Sequence, residues 1–331
     1  MMLLLLFFLL FPGHFPAGER CNPEDKAALL EFKNSLSNPD LLPSWDPNSD
    51  CCGWYVVECD ETTNFVTSLT ILGSLSGTIP PAIAKMTHLQ FLRFHKNPLL
   101  VGEIPPAIGE LSQLDFLEIS WSNLSGPIPH FLAYLKKLRF LDLSFNKLFG
   151  SIPPSLSTLP IIFSIDLSRN RLTGPVPESF GHFPDSGTTL ALDLSHNNLS
   201  GEIPPSLANV NFSRINLSRN NFSGDGSMLF GANKATVILV ISRNNFEFDF
   251  SKVRFMKPLV TLDISHNMIY GRIPTQITES ILLQELNVTY NRLCGEIPTG
   301  WKLKYRQEGF DNSSFFRNRC LCGMPLNPCK P

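Results

Sequence analysis

Between residues 60 and 293 the chain has no cysteine. All eight lie at the ends: Cys21, Cys51, Cys52 and Cys59 in one cluster, Cys294, Cys320, Cys322 and Cys329 in the other. A long cysteine-free middle must be held by its own packing. An even count gathered at two ends argues for two disulfides in each of two caps. Adjacent Cys51 and Cys52 are expected to reach different partners, and spacing leaves the rest of the pairing open. No Cys-x-x-Cys stands with histidine at zinc spacing, which disfavours a metal site. Charge is also scarce. With 17% charged residues and a net charge of −2, the chain lacks the strong field that nucleic acid or an anionic membrane would require.

Long apolar runs are missing as well. The opening MMLLLLFFLLF is apolar for only about ten positions, too few for a hydrocarbon core of ~30 Å. Followed by Pro12-Gly13 and Ala17-Gly18, it reads as a secretory signal over residues 1–18. The Lys or Arg that usually precedes such a run is absent, and a membrane anchor is the competing account. No later stretch of 18 apolar residues occurs, so the mature chain is expected to be soluble and secreted.

What the chain has instead is repetition. Residues 138–153 read LRFLDLSFNKLFGSIP, and the frame L-x-x-L-x-L-x-x-N-x-L-x-G-x-I-P returns about ten times at roughly 24-residue spacing. That period and frame define a leucine-rich-repeat solenoid: an α/β, right-handed curved superhelix with a parallel concave β-sheet and disulfide-bonded caps. Residues 19–65 read as the N-terminal cap, 66–298 as the repeats and 299–331 as the C-terminal cap. In the first cap, residues 22–36 have helical periodicity through Ala28, Leu29, Phe32 and Leu36, with Asn22 or Asp25 as cap and Pro23 in the first turn. Trp45 and Trp54 should complete a lid over the first coil.

The strand cores are expected at Leu69/Ile71, Leu92/Phe94, Leu117/Ile119, Leu141/Leu143, Ile165/Leu167, Leu192/Leu194, Ile215/Leu217, Leu239/Ile241, Leu262/Ile264 and Leu286/Val288. Each pair points inward and the residues between and beside them outward. Asn146, Asn170, Asn197, Asn220, Asn244, Asn267 and Asn291, with Ser122 and Ser74 earlier, form a column able to satisfy the turning backbone. Gly in L-x-G-x-I-P permits the bend, and short turns such as residues 154–159 return the chain. Two irregularities stand out. Asn170 and Asn197 are 27 residues apart, which predicts a loop over 182–188. The coil at Asn244 reads NNFEFDFSKV, without Gly or Ile-Pro.

The stretches CNPEDKAALLEFKNSL, SWDPNSDCCGWYVVECD, PPAIAKMTHLQFL and CLCGMPLNPC give the chain a narrower likeness. From Cys21 to Cys329 it resembles the plant extracytoplasmic leucine-rich-repeat family, and within it the polygalacturonase-inhibiting proteins, close to plant leucine-rich-repeat antifreeze proteins. The resemblance implies the pairs Cys21–Cys51, Cys52–Cys59, Cys294–Cys320 and Cys322–Cys329. It further implies a plant cell-wall, apoplastic defence protein whose concave sheet binds fungal endopolygalacturonases, with no cofactor.

The letters that the frame leaves free carry the function. The column between the inward residues runs Thr70, Arg93, Glu118, Asp142, Asp166, Asp193, Asn216, Val240, Asp263 and Asn287. Four consecutive carboxylates on strands ~4.8 Å apart repel by roughly 0.8 kcal/mol per pair even in water, and become useful when a cationic partner arrives. Beside them run a Ser/Thr column that includes Ser144 and Ser168, and an Arg/His column of Arg169, His196, Arg219, Arg243 and His266. Phe91, Phe116, Phe140, Trp121, Phe145 and Tyr290 fringe the same surface. The expected docking set is Arg93, His95, Glu118, Trp121, Asp142, Ser144, Asp166, Ser168, Asp193 and His196. The alternative account makes Asp-Leu-Ser repeat filler and the Arg/His column its counter-charge.

Three functions fit these letters: docking on a basic polygalacturonase cleft, ice binding by the regular Ser/Thr and Asn columns, and a glycosidase built on adjacent carboxylates. The glycosidase is disfavoured by the open, wet sheet, so no enzymatic activity is expected. Sequons at Asn123, Asn198, Asn211, Asn216, Asn221, Asn287 and Asn312 predict glycans, two of them on the acidic column itself. Lys136, Lys137, Arg139, Lys234, Lys252 and Arg254 could hold cell-wall pectin, or be scattered surface charge.

Overall fold

The computed structural model describes residues 20–73, 75–184, 187–305 and 309–330. The segment read as a signal lies outside these residues, as does Ser74. No described helix is long and apolar enough to cross a membrane.

Each coil contributes one strand to an eleven-stranded sheet. Val57–Cys59 pairs antiparallel with Val66–Leu72, and every later strand adds in parallel up to Glu285–Asn287. All ten predicted Leu/Ile/Val/Phe pairs fall on or at the ends of these strands and are buried. The repeats also carry a second sheet that their sequence frame does not announce. Segments just after the asparagine, from Ser76–Gly77 to Asn245–Phe246, pair coil to coil in eight parallel strands. The L-x-G segment is therefore more than a bend: its backbone groups face the same groups one coil away, and pairing satisfies both. At Gly126, φ is +92° and an added Cβ would lie 2.7 Å from the Glu103 side chain, so glycine is required there.

The irregular coil after Asn244 is where the second sheet stops. Tyr270–Gly271, Arg292–Glu296 and Cys320–Cys322 form a separate three-stranded sheet beyond it. In place of Gly and Ile-Pro, Phe248 and Phe250 turn inward. With Phe230 and Phe255 they pack in tilted and edge-on pairs 5.7–6.1 Å apart. Within the 27-residue spacing the extra residues follow the turn Glu178–His182, and residues 185 and 186 lie outside the described set.

The asparagine column works as a ladder. Asn170 Nδ2 donates to the carbonyls of Leu143, Leu167 and Ser168, while its Oδ1 accepts from Leu148 N at 3.0 Å. Two rungs escape the sequence frame. Asn97 occupies the rung position on an earlier coil, bonding Leu75 N and the Ile71 carbonyl. There Pro98-Leu99 adds a residue before the next core leucine, which shifts the pattern by one. Asn318 extends the ladder into the C-terminal cap through Leu293 N and the Val288 carbonyl.

The N-terminal helix spans Pro23–Asn34, and Asn22 is its cap, with Oδ1 accepting from Glu24 N (2.9 Å) and Asp25 N (3.2 Å). Asp25, the other candidate, is buried and accepts from Val66 N, which ties the helix to the first strand of the repeats. Asn22→Ala should cost about 1 kcal/mol in urea denaturation. Phe32 of the helix packs tilted on Trp45, which stacks on Trp54. Disulfides join Cys21–Cys51, Cys52–Cys59, Cys294–Cys320 and Cys322–Cys329. The four N-terminal sulfurs lie within 4.8 Å of one another, but each is spent in a disulfide and none is left as a metal-binding thiolate.

Candidate docking face

Strand register places Arg93, Glu118, Asp142, Asp166, Asp193, Asn216 and Val240 side by side on successive strands. The expectation that this column points freely to solvent does not hold: Asp142 and Asp166 in its middle are half-buried, and Glu118 and Asp193 on either side of them are buried. Glu118 is 6% exposed and Asp193 8%. Arg93 Nε sits 2.8 Å from Glu118 Oε2, with its N–H aimed away, so that contact is Coulombic. His95 Nδ1 and Ser120 Oγ both lie 2.7 Å from Glu118 Oε1. At the other end, Asp193 Oδ2 accepts from Arg214 (3.1 Å) and Asn216 Nδ2 (2.9 Å). Both ends of the acidic row are thus matched internally. Asp142 and Asp166, between them, form no ion pair among the described residues.

One oxygen of each aspartate is already committed. Asp142 Oδ1 accepts from Ser144 N (2.8 Å), Asp166 Oδ1 from Ser168 N (2.9 Å) and Asp193 Oδ1 from Ser195 N (3.0 Å). Asn216 and Asn287 make the same bond to Ser218 N and Thr289 N. A short side chain with an acceptor is what the backbone needs here, and this explains Asp or Asn through most of the column. The scaffold account thus holds for one oxygen of each aspartate. The Ser/Thr column is a correction: Ser120, Ser144, Ser168, Ser195, Ser218, Ser242, Ser265 and Thr289 are all buried. Ser144 and Ser168 therefore cannot touch a partner, because the strand turns inward toward the asparagine ladder just after the acidic position.

Burial raises the Asp142 carboxyl above its ordinary range, and raises Asp166 to about 6, with Asp193 and then Asp142 adding repulsion. A carboxyl whose folded pKa lies above its unfolded value near 3.8 binds its proton more tightly when folded. Stability therefore declines as pH rises from about 4 to about 6 and stays level above. Asp166→Asn keeps the bond to Ser168, as Asn216 does to Ser218, and removes the charge. It should be more stable than the parent by roughly 1–2 kcal/mol at pH 7.5, a value discounted for partial exposure, and no more stable at pH 4. Melting temperatures at the two pH values check this.

Two ladders of flat side chains flank the carboxylates. On the side where the chain enters each strand, Phe91, Phe116 and Phe140 stack at 4.1 and 4.5 Å, with Phe163 tilted beside them. On the exit side, the residue before each ladder position has a left-handed backbone: Lys96, Trp121 (before Ser122), Phe145, Arg169, His196, Arg219, Arg243, His266, Tyr290 and Arg317, with φ between 50° and 61°. Side-chain-bearing residues accept this cost because their amides then reach the next coil, as in Phe145 N to Ser168 O and Arg169 N to Ser195 O. Trp121 stacks on Phe145 at 3.6 Å, and the Arg169 guanidinium lies over the same ring at 4.7 Å. Burial, then Arg169 and Arg219, push the His196 imidazole below its ordinary pKa.

Ser120, His95 and Glu118 superficially suggest a hydrolytic triad. However, the same His95 Nδ1 faces both Ser120 and Glu118, whereas a relay needs the two ring nitrogens to serve the two partners separately. Four of the cations considered for pectin are engaged internally: Arg139 with Asp115, Lys252 with Asp249, Lys234 with the Ala208 carbonyl, and Lys137 with Gln113 Oε1. Among the sequons, Asn198, Asn211, Asn221 and Asn312 are exposed, Asn123 is half-buried, and Asn216 has its amide nitrogen bonded to Asp193.

Comparison with known proteins agrees with this architecture. Residues 22–60 match the leucine rich repeat N-terminal domain, and residues 137–159, 162–183 and 190–210 match the Leucine Rich Repeat. The chain is 56% identical to polygalacturonase inhibitor 1 of Arabidopsis thaliana, over 99% of this chain and 98% of that one. It is 55% identical to the polygalacturonase inhibitor of Vitis vinifera, over 98% and 96%. A crystal structure of a plant ice-binding protein superimposes with a TM-score of 0.89 at 45% identity, covering 94% of this chain and 99% of that one. With such identity along nearly its whole length, and with the caps and coils that the geometry shows, the chain belongs to the polygalacturonase inhibitor family of leucine-rich-repeat proteins.

Proposed function

We propose that this chain is a secreted plant defence protein of the cell wall that inhibits fungal endopolygalacturonases by docking through its inner face, limiting pectin degradation. The observation that carries the reading is the pair Asp142 and Asp166, without an ion pair among the described residues and set between the phenylalanine ladder on one flank and Trp121, Phe145 and Arg169 on the other. An enzyme that grips a polyanion needs a cationic cleft. Such a cleft supplies the Lys or Arg that this pair lacks, while flat apolar side chains on either side exclude water around the contact. Inhibition follows from occupying the approach to the substrate cleft, with no chemistry on this chain. The extracellular site accords with the disulfides and sequons. Reducing-sugar release by a panel of fungal polygalacturonases, with and without the protein, tests the reading; inhibition should also weaken as pH falls through about 6 and Asp166 takes up its proton. Failure to inhibit or bind any enzyme of the panel would overturn it.

The likeness to an ice-binding protein favours a second reading. The regular hydroxyl array it invoked is the buried Ser/Thr column, and what the inner face does expose is charged and aromatic. An ice recrystallisation assay on the purified protein decides between the two.

A further inference from the structure

We infer that N-linked glycans fence one flank of the solenoid, and that a polygalacturonase therefore reaches the inner face over the opposite flank, across the phenylalanine ladder; this rests on the inhibitor reading above. From Phe91–His95 to Ile238–Val240 each inner strand leaves through a left-handed residue and a ladder position into the second sheet, so that sheet forms the exit flank there. Asn123, Asn198 and Asn221 are each the first residue of a second-sheet strand, Asn123–Pro127, Asn198–Glu202 and Asn221–Gly224. Three of the seven sequons thus share one structural position. Their geometry leaves room for a sugar. Asn221 is exposed and uses its oxygen, not its nitrogen, toward Asn245, while Asn123 Nδ2 spends one proton on the Pro98 carbonyl and keeps the other. Asn216 differs, since its amide is held between strands by Asp193 and Ser218.

The entry flank has no sequon beside the phenylalanine ladder. Its sequon Asn211 sits just ahead of the strand Phe212–Asn216, beyond the coils that carry Phe91, Phe116, Phe140 and Phe163, and Asn312 lies farther along, in the C-terminal cap. The bare window therefore spans residues 90–163. Along it runs an apolar groove floored by the three stacked phenylalanines and bordered by Gln90 and the Asp115–Arg139 pair. Phe140 stands two residues before Asp142 on the same strand, so the groove opens directly onto the unmatched carboxylates. An enzyme entering here meets the apolar ladder first and the acidic pair next.

Engineered glycans test the route. Lys137 and Gln113 hold the position on their coils that Asn211 holds on its own, so K137N/R139S and Q113N/D115S copy a native sequon onto the entry flank. K147N/F149S copies the Asn123 sequon onto the exit flank. The full-length secreted chains are assayed against an enzyme that the parent inhibits, with occupancy read by mass shift; parental inhibition itself reads out the inhibitor proposal separately. K137Q/R139S carries the same loss of the Arg139 ion pair without a sugar, and K137C coupled to a polyethylene glycol maleimide supplies the wedge if the new sequons stay bare. Entry-flank glycans should weaken inhibition on the order of 100-fold, reversed by deglycosylation, whereas K147N/F149S should inhibit like the parent. Full inhibition by an occupied entry-flank variant, loss of inhibition in K147N/F149S, or bare Asn123, Asn198 and Asn221 in the parent would each overturn the proposal.

Discussion

Asp142→Lys combined with Asp166→Lys should abolish inhibition of a susceptible polygalacturonase, by more than about 10³-fold, while the fold persists. Removing one member of a desolvated charge pair typically costs 2–5 kcal/mol, and reversal adds repulsion to the loss. The positions were chosen by the internal matching of their neighbours. Glu118 already has Arg93 and His95, and Asp193 has Arg214, so changing either would also strand a cation within this chain. Asp142 and Asp166 strand no cation, only the amide donors of Ser144 and Ser168. The gentler pair Asp142→Asn with Asp166→Asn keeps the bonds to Ser144 N and Ser168 N and should lose tens- to hundreds-fold in affinity, mostly at low salt. Dissociation constants at two ionic strengths, with circular dichroism for the fold, check both variants; unchanged affinity in the lysine pair would remove this face from the interface.

Asn146→Leu should be among the most destabilising single changes in the repeats, at about 3–5 kcal/mol. Asn146 is 8% exposed, and its Nδ2 serves the carbonyls of Ile119 (2.7 Å), Leu143 and Ser144 (3.1 Å each) while Oδ1 accepts from Leu124 N (3.2 Å). Leucine has nearly the same volume and no polar atom, so packing survives and backbone groups of two adjacent coils are left without partners, each costing about 1–3 kcal/mol. Because a solenoid is held by nearest-neighbour contacts, the damage should be local. Hydrogen exchange should accelerate first at Leu124 and its neighbours, before denaturant unfolds the caps. Uniform exchange across all coils would contradict a ladder of local rungs.

The coil frame was readable from spacing because every rung repeats the same demand: two inward residues, an amide that can both donate and accept, and a residue tolerant of the bend. The rungs that spacing missed, Asn97 and Asn318, are those where an inserted residue or the cap breaks the period. The second sheet was invisible for a different reason. Its pairing depends on backbone groups meeting across coils, and no side-chain letter records that meeting.

The docking letters were legible only as a set. Sequence order alone placed Glu118, Asp142, Asp166 and Asp193 in one row, since the recurring frame forces equivalent residues into register even across the longer coil before Asp193. Sequence also determined the solenoid, its caps and its family likeness, because these rest on local pattern repeated many times. The tertiary structure decided which members of the row are available. Arg93, His95 and Arg214 become partners of the acids only when neighbouring strands lie side by side, and the serines disappear from the surface only once the left-handed turn draws them inward. Charge matching and burial are relations between coils, and within the row of four they leave Asp142 and Asp166 without an ion pair among the described residues.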